Sequence, residues 1–407
     1  MVKYLVLLLL TMVLNTKSVL ASDGHNDVGY SYSLIKQGNK KIHVVKIDLN
    51  RYRISLASAR DSVFGREKPG DVANRYQADI AINSGFFQIG GNEDGRCSGT
   101  LIINGKLFGL KTAEHAVFVV REEASSEVSP SSTSQSLSVE VWNPQIKLKI
   151  GLAEFKPDRY NKFVDQDAVV LYSSKWGATT LTAYSARKEL IISKDMVVSS
   201  VENHGNNNIL SDGYVLSLPE YYDTSSIKIG DVASFNQDGV DKFAHSVSAV
   251  MGIPSLIIDG KINDKLSNSE KHARTSIGVD RDGRVVLVVA ECNYAKSLGS
   301  MTLKETFEIL KRKKADITID ELSIGVVKKI LLQELSQTAQ SEGLTVKELA
   351  EFMLEQGCIS AINLDGGGSS SLYINGKYIN QSVGDKDEAE GLSTIRPVSD
   401  VILFKKI

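Results

Sequence analysis

The sequence predicts an α+β protein: mixed, hairpin-rich sheets with packed helices and a helical insertion near the C-terminal third. Three observations predict it. Glycine is frequent, with 32 residues against 7 prolines, which points to many tight turns. Strand signals dominate from 139 to 290, where turn residues such as Gly205, Asp212-Gly213, Asp238-Gly239 and Asp282-Gly283 punctuate apolar runs. Helix signals gather between 300 and 357, where Thr302 to Glu305, Thr318 to Glu321 and Thr345 to Glu348 share the spacing of a capping box.

Taken in chain order, Lys3 precedes an apolar run that is short for a bilayer span, followed by Asn15 to Ser18 and then Val19-Leu20-Ala21. Residues 1–21 read as a cleavable export signal cut after Ala21, with an uncleaved anchor as the alternative. The rest, 22–407, reads as one composite domain, secreted or periplasmic. Residues 41–59 alternate apolar and polar and read as a strand pair, and 72–82 as a short helix leading to a strand that ends at Asn83. Residues 122–138 have almost no large apolar side chain and read as a flexible surface loop. Three stretches, Thr100 to Lys106, Ser255 to Lys261 and Ser371 to Lys377, each end a strand in Asn-Gly or Asp-Gly, the signature of a two-residue type I′ hairpin. The last helix is expected from Val346 to about Gln356, stopped by Gly357.

Lys and Arg number 47 against 49 Asp and Glu, a net charge of −2, and loss of Lys3 and Lys17 with the leader makes it −4. That balance argues against a nucleic-acid binder and gives no support for adhesion to an anionic membrane. After the leader, no segment has the length and apolarity to insert stably in a membrane. The cysteines, Cys97, Cys292 and Cys358, are odd in number, so at least one stays free; they show no zinc spacing and read as small buried hydrophobes.

Three segments carry candidate chemistry. In the first, an apolar run ends at Asp365 and continues as Gly366, Gly367, Gly368, Ser369 and Ser370. Glycines let a ligand approach the backbone and free N–H groups to bind oxyanions, while the carboxylate serves proton transfer or a developing positive charge. A glycine-rich bend closing a sheet would look the same. In the second, Asn83 ends a strand before Ser84, Gly85, Phe86 and Phe87. Its amide both donates and accepts, as sugar recognition requires, and the phenylalanines are core residues or stacking platforms. In the third, Arg274 and Thr275 open a strand and offer a bidentate phosphate grip, with a plain surface arginine as the alternative. The following apolar strand, Val285 to Ala290, ends at Glu291, a second strand-end carboxylate. Asp365, Glu291 and Asn363 have the oxygen donors for one hard cation. His115, His204 and His245 lack ligand spacing. Serine-hydrolase, P-loop, zincin and dinucleotide motifs are absent.

Taken together, Asn83 to Phe87, Ala273 to Gly278, Ala361 to Lys377 and Ile395 to Phe404 resemble the phosphodiester glycosidase family, with similarity across most of 40–404. The resemblance implies hydrolysis of the glycosidic C–O bond of a sugar-1-phosphodiester, such as an N-acetylglucosamine-1-phosphodiester of an envelope or extracellular glycan, to free sugar and phosphomonoester, with no resident cofactor. It implies Asp365 as a catalytic carboxylate, and Glu291, from its strand-end position, is expected as the second. Asn83, Gly85, Arg274, Thr275, Gly366, Gly367, Gly368, Ser369, Ser370 and Arg396 are then expected around the substrate. Two departures stand out. Glu291-Cys292-Asn293 replaces the family's Asp-Gly-Arg, and the residues from about 298 to 342 read as a helical insertion. A non-catalytic module that binds a glycan phosphate on the same fold, and a phosphodiesterase that cleaves P–O, are the competing expectations.

Overall fold

A computed structural model gives the fold and describes residues 20–22, 26–27, 29–124, 133–144, 146–164, 167–182, 187–236, 244, 246–292, 341–382, 384–386 and 393–407. Among these, strands predominate and only two α-helices occur, Pro69–Tyr76 and Val346–Glu355. This corrects the α+β expectation to a mostly β protein. The reason lies in how the core is closed. One apolar cluster is shared by four sheets, with Val45, Ile277 and Leu287 from one, Ile54, Ile80 and Ile402 from the second, Leu101, Phe118 and Val250 from the third, and Val170, Tyr172 and Val215 from the fourth. Sheets therefore cover one another, and each helix only caps an outer face. The 346–355 helix packs Leu349 and Met353 against Val286, Val288 and Ala361. The 69–76 helix packs Val72 and Ala73 against Ala81 and Val401. Being covered on both faces, Val285–Ala290 is buried at every residue, which is why it reads as an unbroken apolar run.

Two sheets position the site. The largest, of nine strands, sets Lys40–Ile47, Val285–Ala290, Arg274–Asp280, Cys358–Asn363 and Ser255–Ile258 side by side, all antiparallel. A five-stranded sheet has the order Lys377–Tyr378, Leu372–Ile374, Ile80–Asn83, Asp400–Lys406, Tyr52–Ser58. A second five-stranded sheet carries Val247–Gly252 between His115–Ala124 and Leu101–Ile103. The rest of the described middle region forms a further five-stranded sheet, with Val170–Ser173 and Tyr214–Pro219, and a three-stranded one of Ala153–Phe155, Leu148–Ile150 and Ala233–Phe235.

The local expectations meet mixed outcomes. All three Asn-Gly and Asp-Gly turns hold both residues at positive φ: Asn104 at 49° and Gly105 at 73°, Asp259 at 50° and Gly260 at 73°, Asn375 at 45° and Gly376 at 86°. The Thr345–Glu348 capping box forms reciprocally, and Gly357 follows the helix at φ 94°. The expected strand pair in 41–59 is two strands in different sheets: Lys40–Ile47 pairs with Val285–Ala290, and Tyr52–Ser58 with Asp400–Lys406. The expected loop at 122–138 is largely the arms of a hairpin, since His115–Ala124 pairs with Thr133–Trp142. Alternating hydroxyl and charged residues there suit a sheet with one polar face. The leader up to residue 19, the helices expected between 300 and 340 and most of the insertion lie outside the described residues.

Candidate functional site

Antiparallel neighbours begin and end at the same edge, and this gathers distant residues. In the nine-stranded sheet, Arg274 and Thr275 open one strand while Asn363 closes its neighbour, with Asp365 just beyond. In the five-stranded sheet, Asn83 closes one strand between the openings of two others, at Leu372 and at Asp400. The two edges are joined where the Asp365 N–H donates to the Ser84 carbonyl at 2.9 Å.

Asn83 is fully buried and is the hub. Its Nδ2 donates to the Asp365 carbonyl at 2.7 Å. Its Oδ1 accepts from the Thr275 hydroxyl at 2.9 Å and the Ser371 N–H at 3.1 Å. A carbonyl can only accept and a backbone N–H only donate, so these partners fix which way the amide faces. Thr275 Oγ1 also lies 3.1 Å from Ser370 Oγ. Asn83, Thr275, Asp365 and Ser370 are thus brought together as expected. The role of Asn83 is to hold loops, because both ends of its amide are engaged.

The loop after Asp365 is a tight turn held from several sides. The Gly367 N–H donates to the Ala273 carbonyl at 2.8 Å, and a Cβ on Gly366 would meet that oxygen at 2.7 Å. A Cβ on Gly368 would meet the Arg396 guanidinium carbon at 2.4 Å, so the glycine gives Arg396 its place over the loop. Arg396 Nη1 lies 3.5 Å from Ser369 Oγ. Asn380 Nδ2 donates to the Ser370 carbonyl at 3.0 Å, and the Ser382 hydroxyl donates to the Gly368 carbonyl at 3.2 Å. Burial pushes the Asp365 carboxyl up to about 6, against the pull of the Ser369 hydroxyl, the Gly366 N–H and the Arg396 charge, while the Asp400 carboxylate adds to the rise.

Asp400 was missed by sequence reasoning. It is buried at the start of its strand, accepts from the Gly85 N–H at 2.6 Å and bonds the Ser399 hydroxyl, and burial raises its pKa. An acid directly before Val401 to Phe404 is the available signal: the first residue of a buried central strand. A Cβ on Gly85 would meet Asp400 Oδ1 at 3.0 Å, so Gly85 serves this contact.

Glu291 lies beside this network, joined to it through Gln381. Expected as a catalytic carboxylate, it is buried, and its Oε1 accepts from His43 Nε2 at 2.9 Å and the Gln381 N–H at 2.7 Å. His43 Nδ1 is in turn 3.0 Å from the Tyr32 hydroxyl. These hydrogen bonds lower the Glu291 pKa against the opposing effect of burial. Through Gln381, Glu291 anchors the segment whose Asn380 and Ser382 grip the loop. Asn363, named with Asp365 and Glu291 for a cation, gives its Nδ2 to the Ile253 carbonyl at 2.6 Å. The three do not share one set of partners, and no three His, Cys, Asp or Glu side chains converge as a metal site among the described residues.

Arg274 donates Nε to the Leu344 carbonyl and Nη2 to the Glu270 carbonyl, each at 3.0 Å. It lines a cavity of about 390 Å³ together with Phe86, Lys111, Pro254 and Asn363. Phe86 therefore faces a cavity, while Phe87 packs against the apolar cluster beside the 69–76 helix. Among the described residues, no helix is long and apolar enough to cross a membrane.

A family model described as phosphodiester glycosidase matches residues 186–318 and 325–405. An uncharacterised Rickettsia conorii protein is 31% identical over 294 residues, which are 70% of this chain and 99% of that protein. The human N-acetylglucosamine-1-phosphodiester alpha-N-acetylglucosaminidase is 47% identical over 47 residues, 12% of this chain and only 9% of that enzyme. A solved structure from Burkholderia pseudomallei aligns with TM-score 0.62 at 18% identity, over 92% of this chain and 74% of that one, a likeness of fold alone.

Proposed function

The chain belongs to the phosphodiester glycosidase family, and from that premise we propose that it is an exported hydrolase that cleaves the glycosidic C–O bond of a sugar-1-phosphodiester. The substrate is a glycan phosphate of the N-acetylglucosamine-1-phosphodiester kind, and the products are free sugar and phosphomonoester. Export rests on the leader expected at 1–21. The observation that carries the reading is the Asn83 hub. One buried amide ties the backbone of Asp365 to Thr275 and Ser371, so a carboxylate of raised pKa sits at the start of a glycine turn covered by Arg396.

The chemistry asks little more. Water adds to C1, the C1–O bond breaks, and the phosphomonoester leaves with the electron pair. Such a leaving group needs little protonation, so binding its charge and stabilising an oxocarbenium-like sugar do most of the work. Arg396 and the N–H and hydroxyl donors of Gly366 to Ser370 suit the phosphate. Ionised Asp365 suits the positive charge developing at C1 or the proton of the incoming water.

The test is hydrolysis of a synthetic N-acetylglucosamine-1-phosphodiester in ¹⁸O water, by wild type and Asp365→Asn. Label in the sugar, and loss of about a thousandfold or more in the variant, are expected. Label in the phosphate would replace this reading by P–O cleavage. A second reading, a sugar-phosphate binding module, is favoured by one observation: Arg274 spends two of its nitrogens on carbonyls, and no Gly-Arg follows Glu291. It predicts calorimetric binding with no turnover.

A further inference from the structure

Two cavities share a wall beside the site. The inner one, of about 390 Å³, is lined by Phe86, Arg274 and Asn363, and the outer one, of about 720 Å³, by Lys261, Asn263 and Lys265. Lys111, Ile253 and Pro254 line both. The shared wall is fixed to the strand that leads to Asp365. The Ile253 N–H donates to the Asn363 carbonyl at 2.9 Å, the Asn363 N–H to the Pro254 carbonyl at 3.1 Å, and Asn363 Nδ2 to the Ile253 carbonyl at 2.6 Å.

We propose that these cavities form one groove for a glycan that carries several phosphodiesters, so that the substrate is a sugar-phosphate polymer and not a single small phosphodiester. This rests on the hydrolase reading for its direction from the site, and on three independent observations for its chemistry. The first is charge. Across the two cavities Lys111, Lys261, Lys265 and Arg274 stand against only Glu114 and Asp264, in a chain whose net charge is −2. The second is an unmet acceptor. Asn363 is 4% exposed and its Oδ1 has no hydrogen-bond partner among the described residues. Its Nδ2 is held by the Ile253 carbonyl, so the open atom accepts only, and an ionised phosphate cannot satisfy it. A sugar hydroxyl or acetamide N–H can. The third is an aromatic ring, Phe86, lining the same inner cavity. A sugar therefore fits the inner cavity, a phosphate fits Lys111 at the shared wall, and the next phosphate fits Lys261 and Lys265.

The experiment compares two probes, N-acetylglucosamine-1-phosphate and a synthetic trimer of phosphodiester-linked N-acetylglucosamine, by calorimetry on the full chain carrying Asp365→Asn. The trimer is expected to bind about tenfold or more tightly than the monomer. Adding Lys111→Glu, or Lys261→Glu with Lys265→Glu, is expected to bring that ratio to about one, and raised salt to narrow it. These lysines are at least partly exposed and make no ion pair among the described residues, so the variants keep the fold. A ratio near one in the parent, or a ratio that both lysine variants leave intact, overturns the groove. Turnover is scored separately on the wild type. Tight trimer binding without hydrolysis removes the hydrolase reading and leaves the groove standing; hydrolysis with a ratio of one does the reverse.

Discussion

Asp365 sets folding against chemistry. Its ordinary pKa is 3.8 and burial brings it to about 6 in the folded chain. The native state thus holds this proton to higher pH than the unfolded chain does. Its contribution favours folding below pH 3.8 and is lost as pH rises through about 6. Asp365→Asn removes the ionisation, so the variant should melt higher than wild type near neutral pH, by about 1–3 kcal/mol, with the gap closing in acid. A thermal melt series across pH checks it; a variant less stable than wild type at neutral pH would show that the carboxylate is better solvated than its surroundings imply. Activity runs the other way. With the ionised form reacting, kcat/KM should fall about tenfold per pH unit below the Asp365 pKa and level off above it. An activity that declines as pH rises through 6 would make Asp365 an acid instead. Asn83 is a different kind of residue. Asn83→Ala leaves the Asp365 carbonyl and the Ser371 N–H without this partner and the Thr275 hydroxyl with Ser370 alone, and should cost about 2–4 kcal/mol in a urea titration.

The glycine turn shows how neighbouring positions in one element carry different constraints. At Gly366 the obstacle to a side chain is a backbone oxygen, Ala273, already bonded to Gly367; at Gly368 it is the movable end of Arg396. Gly366→Ala should therefore destabilise by about 1–3 kcal/mol. Gly368→Ala should change stability by less than about 1 kcal/mol while displacing Arg396 and slowing turnover. Parallel urea melts and rate assays separate the two, and equal stability losses would contradict the placement of Arg396. Elements of this kind were legible to different depths. The Asn-Gly hairpins and the Thr345 cap were readable because a few adjacent residues dictate their backbone. Thr275 and Asn83 were readable as strand ends beside polar neighbours. The His43 partner of Glu291 was not legible, because a carboxylate at a strand end looks the same whether it faces a ligand or a histidine. The strands of 41–59 were misassigned as partners because pairing is decided by residues such as Val286 and Phe404, far away in sequence.

Across the whole molecule, sheets close on one another and leave the cysteines as packing atoms. Cys97, Cys292 and Cys358 are all free and buried, and burial pushes the Cys97 and Cys358 thiols up to about 12. The folded protein should resist a thiol reagent, release three equivalents in denaturant, and melt at the same temperature with or without reductant. Fewer equivalents in denaturant would reveal a disulfide. The α+β expectation was the largest misreading at this scale. Capping boxes are local signals, whereas a fold dominated by sheets emerges from who covers whom.

The strand of Asn83 has both its neighbours, Leu372–Ile374 and Asp400–Lys406, nearly three hundred residues or more downstream. During synthesis, that fully buried ribbon must wait with two open margins until residues 372–406 have left the ribosome. A nascent chain halted short of Asp400 can own every hairpin described above and still lack a working centre. Assembly of the centre thus waits for synthesis of Asp400–Lys406, and a protein that travels unfolded to another compartment would acquire its reactivity only after arrival.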